Sequence, residues 1–504
     1  MIGDSHVLTD YETVRPSGGL GPPEGDASDP VAAPRPAGAS AAGEASAADV
    51  GPGGASRKQK RARARQTGAA PAESWVARRG HLISYAGFLL FTVFVFFRPY
   101  EFFAIPALKE GAQWIAIFTL AVYFPSQFMA EGNLTVRPSE VTFALLLLLT
   151  ALLSVPMAIS PGEAWDNFVE FLKVILMFVV MVNVARTEWR FRGLLILVLA
   201  ASVMLSFNAF NDYQSGRLEL GGERVKGVVG GLFDNPNDLA LHLVTMVPLA
   251  VGLAFGRRGV LKKIIYGLCA ALFVAGVVVS FSRAGFLGLV VGVGVVAWKL
   301  GRKHRVVVTV LMAASLAAFV AATPGEYGLR ITSIFGGDLT GSVDARRDLF
   351  WRSMLVALRY PLFGVGLGNF YYKGAHDQVS HNAYTQVAAE MGMAALVFYV
   401  MFMVTSLRRL RQIERESFAE KDRAAFYYLS VGLQASLAAY MVSSFFGSVA
   451  HLWYVYYLVG YSVCLRRLYT LKHGAGPAEG TPAGESPGRA LSHAGAEPAV
   501  GTSS

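Results

Sequence analysis

The chain has 504 residues, 53% hydrophobic and 16% charged, with a mean hydropathy of +0.42 and a formal net charge of +10. That is too apolar for a water-facing surface, and apolar runs of bilayer length recur along it, so a soluble globular class is excluded. The two cysteines, Cys269 and Cys464, both fall inside such runs, which leaves no disulfide framework and no cysteine-based metal site.

Residues 1–74 are rich in Ala, Gly, Pro and Ser and carry the basic run Arg57 to Arg65; they are expected to form a disordered cytoplasmic tail without a cleavable signal peptide. The basic run reads as the positive flank of a first membrane span, and no nucleic-acid partner is expected. Apolar stretches follow near 81–98, 112–130, 139–157, 168–185, 191–210, 237–255, 262–281, 284–300, 305–322, 383–407, 425–446 and 449–471. Each matches a bilayer at ~1.5 Å rise per residue, and unpaired backbone groups are not tolerated in lipid, so each is expected to be a helix. The expected fold class is therefore all-α and polytopic, with about twelve transmembrane helices in a domain covering 75–474 and a second tail at 475–504.

Lys and Arg cluster on alternate connections: the N-terminal tail, then Arg137, Arg186 to Arg192, Arg257 to Lys263, Lys299 to Arg305, Arg408 to Arg423 and Arg466 to Lys472. This alternation predicts both termini inside and places 211–236, the turn at 280–284, the long segment 323–382 and 447–450 outside. Within the long segment, 344–360 sets Phe350, Met354 and Leu358 four apart beside Leu349 and Ala357, which predicts an amphipathic helix on the membrane surface with Asp344 as N-cap. Pro361 and Gly364, Gly366 and Gly368 should end it.

On the outer side, Arg224 precedes the run Asp234 to Asp238, and Arg283 sits in a turn with almost no loop. At the membrane boundary such arginines either snorkel to lipid headgroups or bind a diphosphate through paired charge-assisted hydrogen bonds. His381, just before the tenth span, can act as a general base or can simply start a helix. His376 beside Asp377 is a weaker candidate, and Glu390 is an ionisable group expected inside a span. The glycines at 364, 366 and 368 lack the strand and spacing of a dinucleotide site, and the 234–238 cluster lacks the spacing of a calcium loop. No cofactor is implied, and no outer His, Asp or Glu grouping has metal-site spacing. The sequon Asn133-Leu134-Thr135 falls on the inner side.

Across 200–410 these residues resemble the bacterial O-antigen ligases, Wzy-type polymerases and protein O-oligosaccharyltransferases. The markers are Arg224 upstream of Gly231 to Ala240, Ser282-Arg283-Ala284, Ser342 to Arg346 leading through Trp351 into Pro361 to Phe370, and Ser380-His381-Asn382-Ala383-Tyr384 with Glu390-Met391-Gly392. The resemblance implies a metal-independent inverting glycosyltransferase of the inner membrane, with a periplasmic active site and an undecaprenyl-diphosphate-linked saccharide as donor. The acceptor would be lipid A–core or a growing glycan, with membrane lipids around it. Arg224, Arg283 and Arg346 would neutralise the diphosphate, and His381 would orient or deprotonate the acceptor hydroxyl. The family arginine maps onto either of two neighbours: the serine four residues earlier favours Arg346, and the tryptophan four later favours Arg347. Arg98 to Phe103 resembles members near exosortase-linked exopolysaccharide systems.

Ligase and polymerase differ only in acceptor, and the arginine and histidine pattern places the ligase slightly ahead. A transporter or flippase predicts midplane charges and repeat halves, for which Lys173 is the main candidate. A non-catalytic assembly scaffold is the remaining alternative.

Overall fold

The computed structural model describes residues 75–103, 105–217, 225, 227, 229–233, 235–256, 259–301, 306, 341–374, 378–420 and 423–473. Both tails, the predicted span 305–322 except Val306, Arg224, His376 and Asp377 lie outside the described residues. What is described is helical, with no strand among it.

The helices, in chain order, are α1 (Trp75–Phe96), the short α2 (Pro99–Phe102) and α3 (Pro106–Lys109), α4 (Gly111–Glu131), α5 (Ser139–Ser154), α6 (Pro161–Val184), α7 (Glu188–Gln214), α8 (Pro236–Phe255), α9 (Val260–Val279), α10 (Arg283–Leu300), α11 (Gly341–Arg359), α12 (Ala383–Met391), α13 (Met393–Ser417), α14 (Ala424–Ser443) and α15 (Trp453–His473). Among the described residues nine segments are long and apolar enough to cross a bilayer, from α1, α5 to α10, α13 and α14. Helices α4 and α15, each 21 residues long, coincide with two further predicted spans but carry more polar sequence. The protein is a polytopic helical membrane protein.

The packing explains the pattern of apolar residues. Helix α8 is the central post, buried along nearly its whole length against α9, α10 and α14, while α1 pairs with α4 and α13 lies between α5 and α14. Peripheral α9 turns Leu261, Ile264, Ile265 and Leu268 outward, where only lipid can cover such a contiguous apolar face.

Connections that charge alternation assigns to one side touch one another. At one end Glu131 holds Arg186 (2.9 Å) and Arg467 (3.2 Å), Glu188 holds Lys472 (2.8 Å), and Lys299 meets Glu414. At the other end Glu101 meets Gly230, Glu163 meets Tyr371 and Tyr372, and Ser448 meets His381. Lys173, the intramembrane cation expected from the sequence, is paired with Glu170 at 2.6 Å.

Three expectations change. The stretch 383–407 is two helices, broken at Gly392, whose φ of +90° suits glycine alone. A Cβ there would stand 2.4 Å from the Leu362 carbonyl oxygen, because the Pro361 to Phe370 turn docks into the break. Met393 N–H donates to the Pro361 carbonyl (2.8 Å), Val365 N–H to Ala389 (2.9 Å) and Gly366 N–H to Glu390 (3.0 Å). Secondly, α11 begins at Gly341, so Asp344 lies within the helix and is not its cap. Thirdly, the side of α11 that packs is the line Leu349, Ser353 and Ala357, against Phe370, Ala388 and Ala389, whereas Leu358 of the predicted apolar line is exposed. Residues four apart share a face, and the small Ser353 and Ala357 allow the close approach that the bulkier line would prevent.

Candidate functional site

Two tight turns and one helix face meet at the end of the bundle that holds Gly230 and Ser448. The first turn joins α9 to α10. Phe281 adopts a left-handed φ of 50°, which an L residue accepts only when its surroundings enforce it. Ser282 then caps α10, its hydroxyl oxygen accepting the Gly285 N–H at 3.2 Å while its O–H donates to Asn237 Oδ1 at 2.8 Å. This fixes Arg283 as the first residue of α10 and ties it to the start of α8, where Asn235 caps through the Asn237 N–H.

The second turn precedes α12. His381 also has a left-handed φ, 51°, and its N–H donates to Ser448 Oγ at 2.9 Å. Asn382 caps α12 by accepting the N–H groups of Tyr384 (2.9 Å) and Thr385 (3.0 Å). The histidine is therefore held in strained backbone, clamped from the α14–α15 connection on one side and by a helix cap on the other. Strain of this kind is kept where a side chain must point in one direction.

Arg346 arrives from α11. It is in line with Ser353 and Ala357 on the packed face, is itself half-buried, and lies within Coulombic reach of both Arg283 and His381. Arg347, turned ~100° around the helix, is exposed. Burial and then the Arg346 charge hold the His381 imidazole below its ordinary pKa, which favours the neutral, proton-accepting form. Burial and then the Arg283 charge lower Arg346. Two guanidinium groups near each other in partial burial suit an anionic ligand, and a diphosphate supplies charge and acceptor oxygens for both.

Arg346 lies within electrostatic reach of both Arg283 and His381, and Arg347, one residue on, is exposed; Arg224 lies outside the described residues. Sequence reasoning missed Ser448, the hydroxyl that holds His381, and His451, whose Nδ1 lies 3.9 Å from Glu390 Oε2 in the interior. No local pattern marks either residue. Their only signal was membership of the short connection 447–450 or its immediate edge, which the alternation of basic residues had placed on the same side. Glu390 lies at the helix break, buried beneath the Pro361 to Phe370 turn, its backbone carbonyl accepting the Gly366 N–H at 3.0 Å. Among the described residues, no group of three or more His, Cys, Asp or Glu side chains is arranged to hold a metal ion.

Fold and site together define a multi-pass membrane protein with a cationic, histidine-bearing cluster at one end of its helical bundle. The model of the O-antigen ligase family matches residues 268–400, which hold Arg283, Arg346, Arg347 and His381. The match covers about a quarter of the chain and is to a family of membrane enzymes of ligase or polymerase type. No curated protein matches it significantly. Among solved structures, one chain from work described as structural coordination of polymerization and crosslinking by a peptidoglycan synthase complex is similar over 66% of this chain and 97% of its own. Its sequence identity is 16% and its TM-score 0.41, a likeness that carries no argument.

Proposed function

We propose that the protein is an inner-membrane glycosyltransferase that moves a glycan from a polyprenyl-diphosphate carrier, such as undecaprenyl diphosphate, onto a saccharide hydroxyl at the periplasmic face. The observation that carries this reading is the half-buried Arg346 within electrostatic reach of both His381, itself held in left-handed backbone, and Arg283. The diphosphate is the leaving group and gains charge as the glycosidic bond breaks, so cations fixed in place before the reaction favour the transition state over the ground state. His381 accepts the proton of the attacking hydroxyl, the new C–O bond forms as the C–O bond to phosphate breaks, and in-line displacement inverts the anomeric carbon. The step needs no metal in this reading. Arg224, adjoining the buried Val225, is a third partner for the diphosphate, and Arg347 is assigned to the surface.

For the membrane we propose the orientation set by the basic connections: both termini cytoplasmic, the site periplasmic, a transmembrane domain over 75–474, and tails at 1–74 and 475–504. Lipid A–core is the favoured acceptor, which makes the protein an O-antigen ligase; a growing glycan acceptor would make it a polymerase of O-antigen or exopolysaccharide repeats. Deletion of the gene followed by gel analysis of surface glycans separates them. Rough lipopolysaccharide with long lipid-linked chains accumulating is the ligase outcome. Single-repeat products, or intact lipopolysaccharide with lost exopolysaccharide, are polymerase outcomes. Unaltered glycans of every kind would remove the proposal.

A further inference from the structure

The turn that fills the break at Gly392 continues into a surface the cluster does not use. Residues Phe370–Lys373 form a short 3-10 turn, closed by Gly374 N–H donating to the carbonyls of Phe370 (3.0 Å) and Tyr371 (3.1 Å). Just before it, buried Asn369 accepts the Ser160 N–H on its Oδ1 at 2.6 Å, one residue ahead of α6. Two tyrosine hydroxyls then close onto α6: Tyr371 donates to Glu163 Oε2 at 2.6 Å and Tyr372 to Glu163 Oε1 at 2.9 Å. One carboxylate thus holds two rings by their tips, and the rings stack with centroids 4.3 Å apart and 28° between their planes.

Burial does not account for this order. Tyr371 is half-buried, but Tyr372 is 43% exposed, so its ring is immobilised by a stack and a hydrogen bond while gaining little from leaving water. Polar groups border the ring. An ionised carboxylate has about four acceptor sites, and each oxygen of Glu163 gives one to a tyrosine, which leaves acceptor capacity on both. Asn167, exposed on α6, brings a side-chain amide to the same edge: its Nδ2 donates to the Glu163 carbonyl at 2.8 Å and stands 2.4 Å from where a Cβ on Gly368 would be. A flat, electron-rich ring face beside a carboxylate and an amide suits a pyranose. The C–H groups of one sugar face are apolar and slightly positive and rest on the ring, while the hydroxyls around its edge donate to the oxygens. A lipid phosphate would instead meet the like charge of Glu163. The surface also adjoins the cluster. Phe370, immediately before the pair, is buried against Leu349 of α11, and Arg346 lies three residues before Leu349, within one helical turn.

We propose that Tyr371, Tyr372 and Glu163 form a saccharide subsite, which takes a pyranose unit of the glycan on the exposed face of Tyr372. The proposal rests on the glycosyltransferase reading. A sugar held there is not the one at the breaking bond and is bound equally before and during the reaction, so loss of the subsite raises KM and leaves kcat intact.

The test uses the full chain in lipid nanodiscs. Its probe is the glycan released by mild acid from the lipid-linked pool of the cells that make the protein, with binding read by saturation-transfer NMR titration. Tyr372→Ala is expected to weaken binding by roughly three- to tenfold, the scale of one aromatic stacking contact. Tyr372→Phe keeps the ring and loses only the bond to Glu163, and is expected to bind close to the wild type. Wild-type binding by Tyr372→Ala overturns the proposal, as does absence of binding by the wild type itself. Equal losses in the Ala and Phe variants also overturn it, since the tie to Glu163 and not the ring face would then be what matters. If Tyr372→Ala yields no folded protein, Tyr372→Leu, which fills space without a flat face, decides by the same criteria. In transfer assays of the same proteins, a raised KM for the lipid-linked glycan assigns the subsite to the donor and a raised KM for the saccharide acceptor assigns it to the acceptor. An unchanged KM for both overturns it. Arg283→Ala is run alongside: normal transfer there defeats the diphosphate reading, whereas the released glycan carries no diphosphate and its binding tests Tyr372 alone.

Discussion

Neutralising Arg346 and Arg347 separately gives two different outcomes from neighbouring residues of one helix. Arg346 lies on the packed face of α11, half-buried, with its charge acting on His381 and opposed by that of Arg283. Arg347 is exposed. Loss of one preorganised donor to a charge that develops in the transition state costs about 2.7–4 kcal/mol, or roughly a hundred- to a thousandfold in kcat. An exposed substitution away from such a feature stays within about 0.5 kcal/mol, or roughly twofold. Arg346→Gln is therefore expected to lose roughly a hundredfold or more of transfer activity, and Arg347→Gln about twofold at most. The assay is release of polyprenyl diphosphate from a lipid-linked glycan by purified protein in nanodiscs, normalised to folded protein. Equal losses, or a larger loss in Arg347→Gln, would refute the assignment of roles across α11.

Arg346→Gln should also move the acid limb of residual kcat/KM to higher pH. The base must be neutral, the Arg346 charge helps hold its pKa down, and removing that charge raises the pKa towards the ordinary imidazole value of about 6.5. A limb that stays put or moves down contradicts the pairing. Gly392→Ala combines a φ of +90° with backbone atoms 2.4 Å and 2.7 Å from the new Cβ, and should destabilise the protein by about 2 kcal/mol or more, read as a lower unfolding midpoint in detergent. Gly162→Ala, with open space around it, should hold within about 1 kcal/mol, and equal behaviour of the two would mean the helix break is not rigid. Alkaline phosphatase fused after residue 225 or 375 should be active in the cell; inactive fusions at both positions would reverse the orientation.

Spans were legible in the sequence because lipid leaves a helix no alternative, and α5, α8, α9 and α10 fall within three residues of their apolar runs. The grouping of connections was legible for a similar reason: charge chooses sides, and the contacts of Glu131 with Arg186 and Arg467 follow that choice. What the sequence hid depends on backbone geometry. The break at Gly392 lies inside an uninterrupted apolar run, and nothing there signals a φ of +90° until the Pro361 turn fills the gap. Of the packed line of α11, Leu349 and Ala357 were legible as apolar residues of the helix, whereas Ser353 was not, because close helix contact selects for small size and not for apolar character. Phe281 and His381 look ordinary as letters, and only their left-handed φ values mark the turns as special. Arg346 and Arg347 are equivalent as neighbours in the sequence, and only the helix shows one half-buried and the other exposed.

The most direct test of the central claim is the fate of His381→Ala in a transfer assay with separate readouts for donor binding and glycan transfer. The purified variant is expected to fold, to bind the polyprenyl-diphosphate-linked glycan with wild-type affinity, and to transfer no glycan. Transfer at the wild-type rate by a folded His381→Ala protein would contradict the assignment of His381 as the base.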